Sequence, residues 1–174
     1  GVLIGPRHVL TCAHVLEKQL GRPLRDPDLD LAACAEGVVI EFPFAGKRTR
    51  GKLADWVPIA RDGSGDVALL ELESPVNCTP APLACPPTLD GHRFSVRGFP
   101  DGDPAARQAN GVLRGASGES GTWVQLDAES EIGWAIEVGF SGAPVFDHSR
   151  EAVVGIVVVR DKRETRTGHM LPMS

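Results

Sequence analysis

Residues Val138–Phe146 read VGFSGAPVF. Two glycines bracket a lone serine, Ser141, and a short apolar run of strand character follows. On a strained turn that feeds a strand, this serine would present its hydroxyl as a nucleophile; in an ordinary loop it is only a small residue. What the rest of the chain supplies decides between the two. A serine hydroxyl is a weak nucleophile at neutral pH and needs a base within hydrogen-bond reach, itself oriented by a third group.

The surroundings of this stretch are β-type. GVVIEF (37–42), DVALLEL (66–72), RFSVRGF (93–99), GTWVQL (121–126), GAPVF (142–146) and AVVGIVVV (152–159) are short apolar runs separated by turn residues. Many short strands with turn signals predict an all-β barrel or sandwich. One short helix is expected at Ala13 to Leu20. No βαβ rhythm appears, which excludes a doubly wound sheet. SPVNCTPAPLACPPTLDG (74–91) carries five prolines, whose missing N–H groups cannot feed a central ladder. It reads as a crossover between two β-rich halves, about 1–73 and 92–174. The stretch 101–120 begins as a polar loop and is expected to hold one strand around Gly111 to Arg114.

The 174 residues suit one domain or two small halves. A chain of this length buries roughly 70% of its unfolded surface, enough for a real core. The net charge of −5 is spread without long runs, which argues against a nucleic-acid partner held on a basic face. The basic cluster Arg160 to Arg166 is interrupted by Asp161 and Glu164 and reads as a solvated hairpin. Cys12, Cys34, Cys78 and Cys85 form no CxxC pair, so neither a zinc site nor any other metal or cofactor is expected. Cys12 reads as a buried thiol; Cys78 and Cys85 could be bridged, but nothing in the pattern demands it. A reducing compartment follows, hence a cytoplasmic location. No apolar stretch reaches the length of a membrane span, and no membrane insertion is expected. The chain starts at Gly1 inside the apolar run GVLIG and reads as a fragment of a longer protein whose other domains would be its partners.

Base and acid candidates stand upstream of the serine. His14 lies in HVLTCAHVL, where an apolar strand ends and a short helix begins, a position from which an imidazole can face a cleft. Asp66 directly precedes the apolar strand of DVALLEL; an ionised carboxylate there needs a partner or costs several kcal/mol. Taken singly, His14 reads as a satisfied structural histidine and Asp66 as a turn residue. In chain order they are His14, Asp66, Ser141.

Together, LTCAHV, DVALLEL and GFSGAPVF resemble the three signature segments of the trypsin-like serine peptidases, the chymotrypsin-fold family, and most of all its disulfide-free, bacterial HtrA-like branch. GPRHVLTCAHV looks like the family's strand-then-histidine segment, and GHMLPMS resembles the segment that follows its last barrel strands. The resemblance implies two packed six-stranded β-barrels with the active site between them. It also implies a polypeptide substrate cleaved by a serine endopeptidase, in the protease module of a larger bacterial regulatory protein. Ser141 would be the nucleophile, His14 the base and Asp66 the orienting acid. The N–H groups of Gly139 and Ser141 would form the oxyanion hole. The substrate pocket would be walled by Ala135 to Val138, Ile136 among them, and by Val158, Val159 and Arg160. Ala135 stands where trypsin holds an aspartate, which argues against a Lys or Arg preference. Val158 and Val159 suggest a narrow apolar pocket, and Arg160 is either a recruiter of an acidic residue or an exposed strand-end charge.

Two departures stand out. Phe140 replaces the aspartate that receives a freed N-terminal ammonium in digestive members, so that activation switch is absent. Val15 follows His14 where a cystine partner is usual. An α/β-hydrolase elbow, GxSxG, fits GFSGA loosely, but it needs an acid and then a histidine after the serine, with only about 30 residues left. A trypsin-like fold kept as a catalytically silent binding or sensing module is the remaining alternative.

Overall fold

The computed structural model describes residues 1–25, 37–100, 105–118, 121–129, 134–160 and 166–174, without the side chains at 18, 159 and 160. The chain divides into two compact units. The first comprises Gly1–Ala60 with Gly65–Ala81, the second Arg61–Ser64 with Pro82–Ser174. The break at Ala81/Pro82 lies inside the proline-rich segment.

In the first unit, β1 (Val2–Gly5), β2 (His8–Thr11), β3 (Val38–Phe42), β4 (Lys47–Val57) and β5 (Val67–Leu72) form an antiparallel five-stranded sheet in the order β1-β2-β5-β4-β3. Alternation sets its inner face: Ala68, Leu70 and Leu72 of β5 are buried while their neighbours are less so. They pack with Leu3, Val9, Leu53 and Leu16, the last from α1 (Ala13–Leu20). The helix stops at Gly21, whose left-handed backbone (φ 65°) ends it at little steric cost.

In the second unit, β6 (Arg93–Gly98), β7 (Arg107–Ser117), β8 (Trp123–Ala128), β9 (Pro144–Asp147), β10 (Ala152–Arg160) and β11 (Thr167–Pro172) close into a barrel ordered β10-β11-β8-β7-β6-β9. Closure leaves no free edge. Phe94, Val96, Leu113, Leu126, Val145, Val154 and Met170 fill its interior. The described residues therefore hold one closed six-stranded barrel and one five-stranded half-barrel sheet, the two-part all-β architecture expected from the sequence.

Two expectations change in detail. The stretch expected to hold one short strand carries β7, eleven residues long. GHMLPMS does not merely follow the barrel: His169 and Met170 pair with Gln125 and Val124, so this segment is itself a barrel strand. Among the described residues no helix is long and apolar enough to cross a membrane.

Candidate active site

The first unit brings His14 and Asp66 together. Because β2 pairs with β5, with Thr11 opposite Ala68, the residues beyond the end of β2 meet those ahead of β5. Cys12 caps α1 in an extended conformation and the helix carries His14 at its second position. The Asp66 carboxylate accepts the backbone N–H of His14 at Oδ1 (3.0 Å) and its Nδ1–H at Oδ2 (2.6 Å). The Asp66 carbonyl accepts the N–H of Ala13 (3.2 Å). Asp66 is 3% exposed and adopts φ 62°, a left-handed conformation that Asp tolerates better than most residues. Gly65, at φ 81°, is tighter still: a Cβ there would lie 2.1 Å from the Pro58 carbonyl oxygen.

The hydrogen bond to Asp66 raises the pKa of His14 above its ordinary value, more than partial burial lowers it. With Nδ1–H donated to Asp66, the neutral ring carries its lone pair at Nε2, the nitrogen a base would use. Cys12 places a thiol near this pair: one donor atom each from Cys12, His14 and Asp66 lie within 4.8 Å of one another. The 2.6 Å bond already engages two of those donors with each other.

The second unit holds the serine turn. Phe140 N–H donates to the Glu137 carbonyl (3.1 Å), Ala143 N–H to that of Phe140 (2.9 Å) and Gly142 N–H to that of Val157 (2.7 Å). Among the described residues, the N–H groups of Gly139 and Ser141 donate to nothing. Gly139 sits at φ 101° with its carbonyl accepting the Phe99 N–H (3.1 Å); a Cβ there would lie 2.4 Å from the Phe99 oxygen. No other residue fits that backbone. Phe140 is fully buried in the barrel core, so the turn is pinned from beneath by packing.

The remaining predicted residues are distributed as follows. Ala135 is half-buried, while Ile136 lies in the barrel core against Gly168. Val158 is buried; the side chains of Val159 and Arg160 lie outside the described residues, as do 161–165 of the basic cluster. Asp62, the other acid near Asp66, accepts from Ser64 at both N–H (3.0 Å) and hydroxyl (2.7 Å) on an exposed turn. Cys12, Cys78 and Cys85 are not disulfide-bonded, and Cys34 lies outside the described residues.

A second histidine–carboxyl pair escaped the sequence reading. Asp147, fully buried at the end of β9, accepts His92 Nδ1–H (2.7 Å) and the N–H of Ser149 (2.7 Å). The 55-residue separation of the pair carries no local signal. It ties the turn after β9 to the segment entering β6.

The family model described as a trypsin-like peptidase domain matches residues 1–156. The chain belongs to this family. This trypsin-like serine protease domain is 27% identical to a peroxisomal leader peptide-processing protease of Mus musculus over 174 residues, covering 99% of this chain and 27% of that protein. It thus spans about a quarter of the length of the curated relative. Its fold is that of the Rv3671c protease from M. tuberculosis in its active form, with TM-score 0.70, 21% identity, and coverage of 98% of this chain and 66% of that one. A serine endoprotease from Yersinia pestis gives TM-score 0.68 and 19% identity, over 99% of this chain and 52% of the other. The trypsin-like domain has the chymotrypsin-like two-unit β architecture.

Proposed function

We propose that this trypsin-like domain is a working endopeptidase that cleaves polypeptides through an acyl-enzyme on Ser141. The hydrogen-bonded His14–Asp66 pair carries the reading, because it gives the imidazole a lone pair at Nε2 and a partner for the positive charge it would acquire. In this mechanism Nε2 takes the proton of Ser141 as Oγ attacks the scissile carbonyl, then returns it to the leaving amine. Water, activated by the same nitrogen, releases the acyl group. Asp66 holds the tautomer and stabilises the imidazolium. The free N–H groups of Gly139 and Ser141 receive the oxyanion; each such donor contributes about 2.7–4 kcal/mol to the transition state. The reading requires Ser141 Oγ to come within hydrogen-bond reach of His14.

The resemblance places Ala135 and the valines at the end of β10 in the wall of the substrate pocket, which favours a small apolar residue before the cut. The mouse relative's name supports limited processing of a polypeptide over wholesale degradation. Other domains of a longer parent chain would select the substrate.

The test is a fluorophosphonate probe on the folded protein. Labelling of Ser141 that disappears in His14→Ala supports the peptidase. No labelling of the intact, folded protein means a catalytically silent binding module.

A further inference from the structure

Trp123, at the start of β8, is not used by the mechanism above, yet it is built against the loop that leads to Asp66. Its indole Nε1–H donates to the carbonyl of Gly63 (2.9 Å). Gly63, at φ 83°, packs closely against the ring: a Cβ there would be 2.4 Å from Trp123 Cζ2. Gly118 approaches another edge of the indole, where a Cβ would be 3.2 Å from Cε3. The ring is further fixed by His169 of β11, whose centroid is 5.3 Å away, and His169 Nδ1 is in turn hydrogen-bonded to Ser117 Oγ of β7 (3.0 Å). Three adjacent barrel strands thus combine to immobilise one side chain whose polar atom grips a loop carbonyl.

That loop has an unusual backbone. Of the four residues Gly63 to Asp66, three are left-handed: Gly63 at 83°, Gly65 at 81° and Asp66 at 62°. A non-glycine residue keeps such a backbone only where its surroundings over-determine it. At one end the constraint is the His14 hydrogen bonds; at the other it is the indole. Gly63 groups with the second unit and Gly65 onward with the first, so the restraint passes along the covalent chain.

We propose that Trp123 is a positioning residue: by clamping Gly63 it fixes the backbone that aims the Asp66 carboxylate at His14. Its effect on turnover rests on the peptidase reading; its effect on the His14–Asp66 bond does not.

The test uses the whole chain and Trp123→Phe, which keeps an aromatic ring and removes the donor. Two readouts are taken, NMR titration of His14 and kinetics on a cleaved peptide. Besides Asp66, Glu17 is the charged group acting on His14 and is unchanged throughout. Trp123→Phe is expected to lower the His14 pKa towards its ordinary value and to reduce kcat by roughly 10- to 100-fold with little change in KM, as remote misplacement of a catalytic group does. In an Asp66→Asn background the same substitution should leave the titration of His14 where Asp66→Asn alone puts it, because coupled residues are non-additive. Gly63→Ala should act in the same direction; if it fails to fold, Trp123→Phe decides alone. An unchanged His14 titration in folded Trp123→Phe, or an equal shift with and without Asp66, overturns the proposal. A shift confined to the Asp66 background in a protein that hydrolyses nothing upholds the positioning role and removes the peptidase reading.

Discussion

The ring of Phe140 occupies the space that a side chain at residue 98 would need. A Cβ on Gly98 would lie 2.5 Å from Phe140 Cγ and 2.9 Å from its Cα. The turn carrying Ser141 therefore rests on a strand of the barrel through one aromatic plug, and its shape depends on core packing.

Gly98→Ala is thus expected to destabilise the fold by about 1–3 kcal/mol, as overpacking does. Phe140→Ala should cost about 3–5 kcal/mol. Both should slow probe labelling of Ser141 beyond the loss of folded protein, measured by urea unfolding beside labelling rates. Labelling that tracks the folded fraction alone would detach the plug from the turn.

Ser141→Ala should abolish peptide hydrolysis and leave the circular dichroism spectrum unchanged. Cleavage of a peptide library surviving in the purified variant would remove Ser141 as nucleophile.

Asp66→Asn should reduce turnover by about 10⁴ through the wrong imidazole tautomer. Asp62→Asn should be nearly silent, since that carboxylate accepts from Ser64 on an exposed turn and not from His14. Comparable losses in both variants would reassign the acid.

The pH profile follows from the raised pKa of His14. Catalysis needs the neutral ring, so the acidic limb of kcat/KM should lie above 6.5, the ordinary histidine value. Asp66→Asn, which removes the carboxylate that favours the imidazolium, should move what activity remains to lower pH. Stability runs the other way. With its folded pKa above its unfolded one, His14 contributes stability fully below pH 6.5, and this is lost as pH rises through the folded value. The imidazole is 43% exposed, so this stability change is small. A limb that stays put in Asp66→Asn would contradict the cause given.

Asp147→Ala should lower stability by roughly 1–3 kcal/mol, because it leaves His92 Nδ1–H and the Ser149 N–H without their acceptor. Chemical unfolding measures it; a loss under 1 kcal/mol would mean that the barrel relaxes around the gap.

The parts legible in the sequence are those with a local signal. DVALLEL alternates or runs apolar as a strand should, and the helix at Ala13–Leu20 is bounded by Gly21. His14, Asp66 and Ser141 stand out as candidates because each sits where an apolar element begins or ends. β4 was missed because KRTRGKLADWV buries few of its side chains; its place comes from pairing with β3 and β5 on either side. β7 exceeded its short apolar centre for the same reason. The His92–Asp147 pair and the Trp123–Gly63 hydrogen bond join residues 55 and 60 positions apart, and no local pattern announces either.

The pairing of the serine turn also times its own maturation. Gly142 N–H reaches the Val157 carbonyl, and Val157 N–H returns to that of Ala143. β9, which follows the turn, is held on one side by β6 and on the other by β10. A ribosome delivers Ser141 before β10 exists, so the nascent hydroxyl emerges on a turn with no partner strand to shape it. Only when β10, and then β11, have left the exit tunnel can the barrel close. If Ser141 is the nucleophile proposed above, synthesis from N- to C-terminus keeps it unassembled while its own chain is unfolded and most vulnerable to being cut.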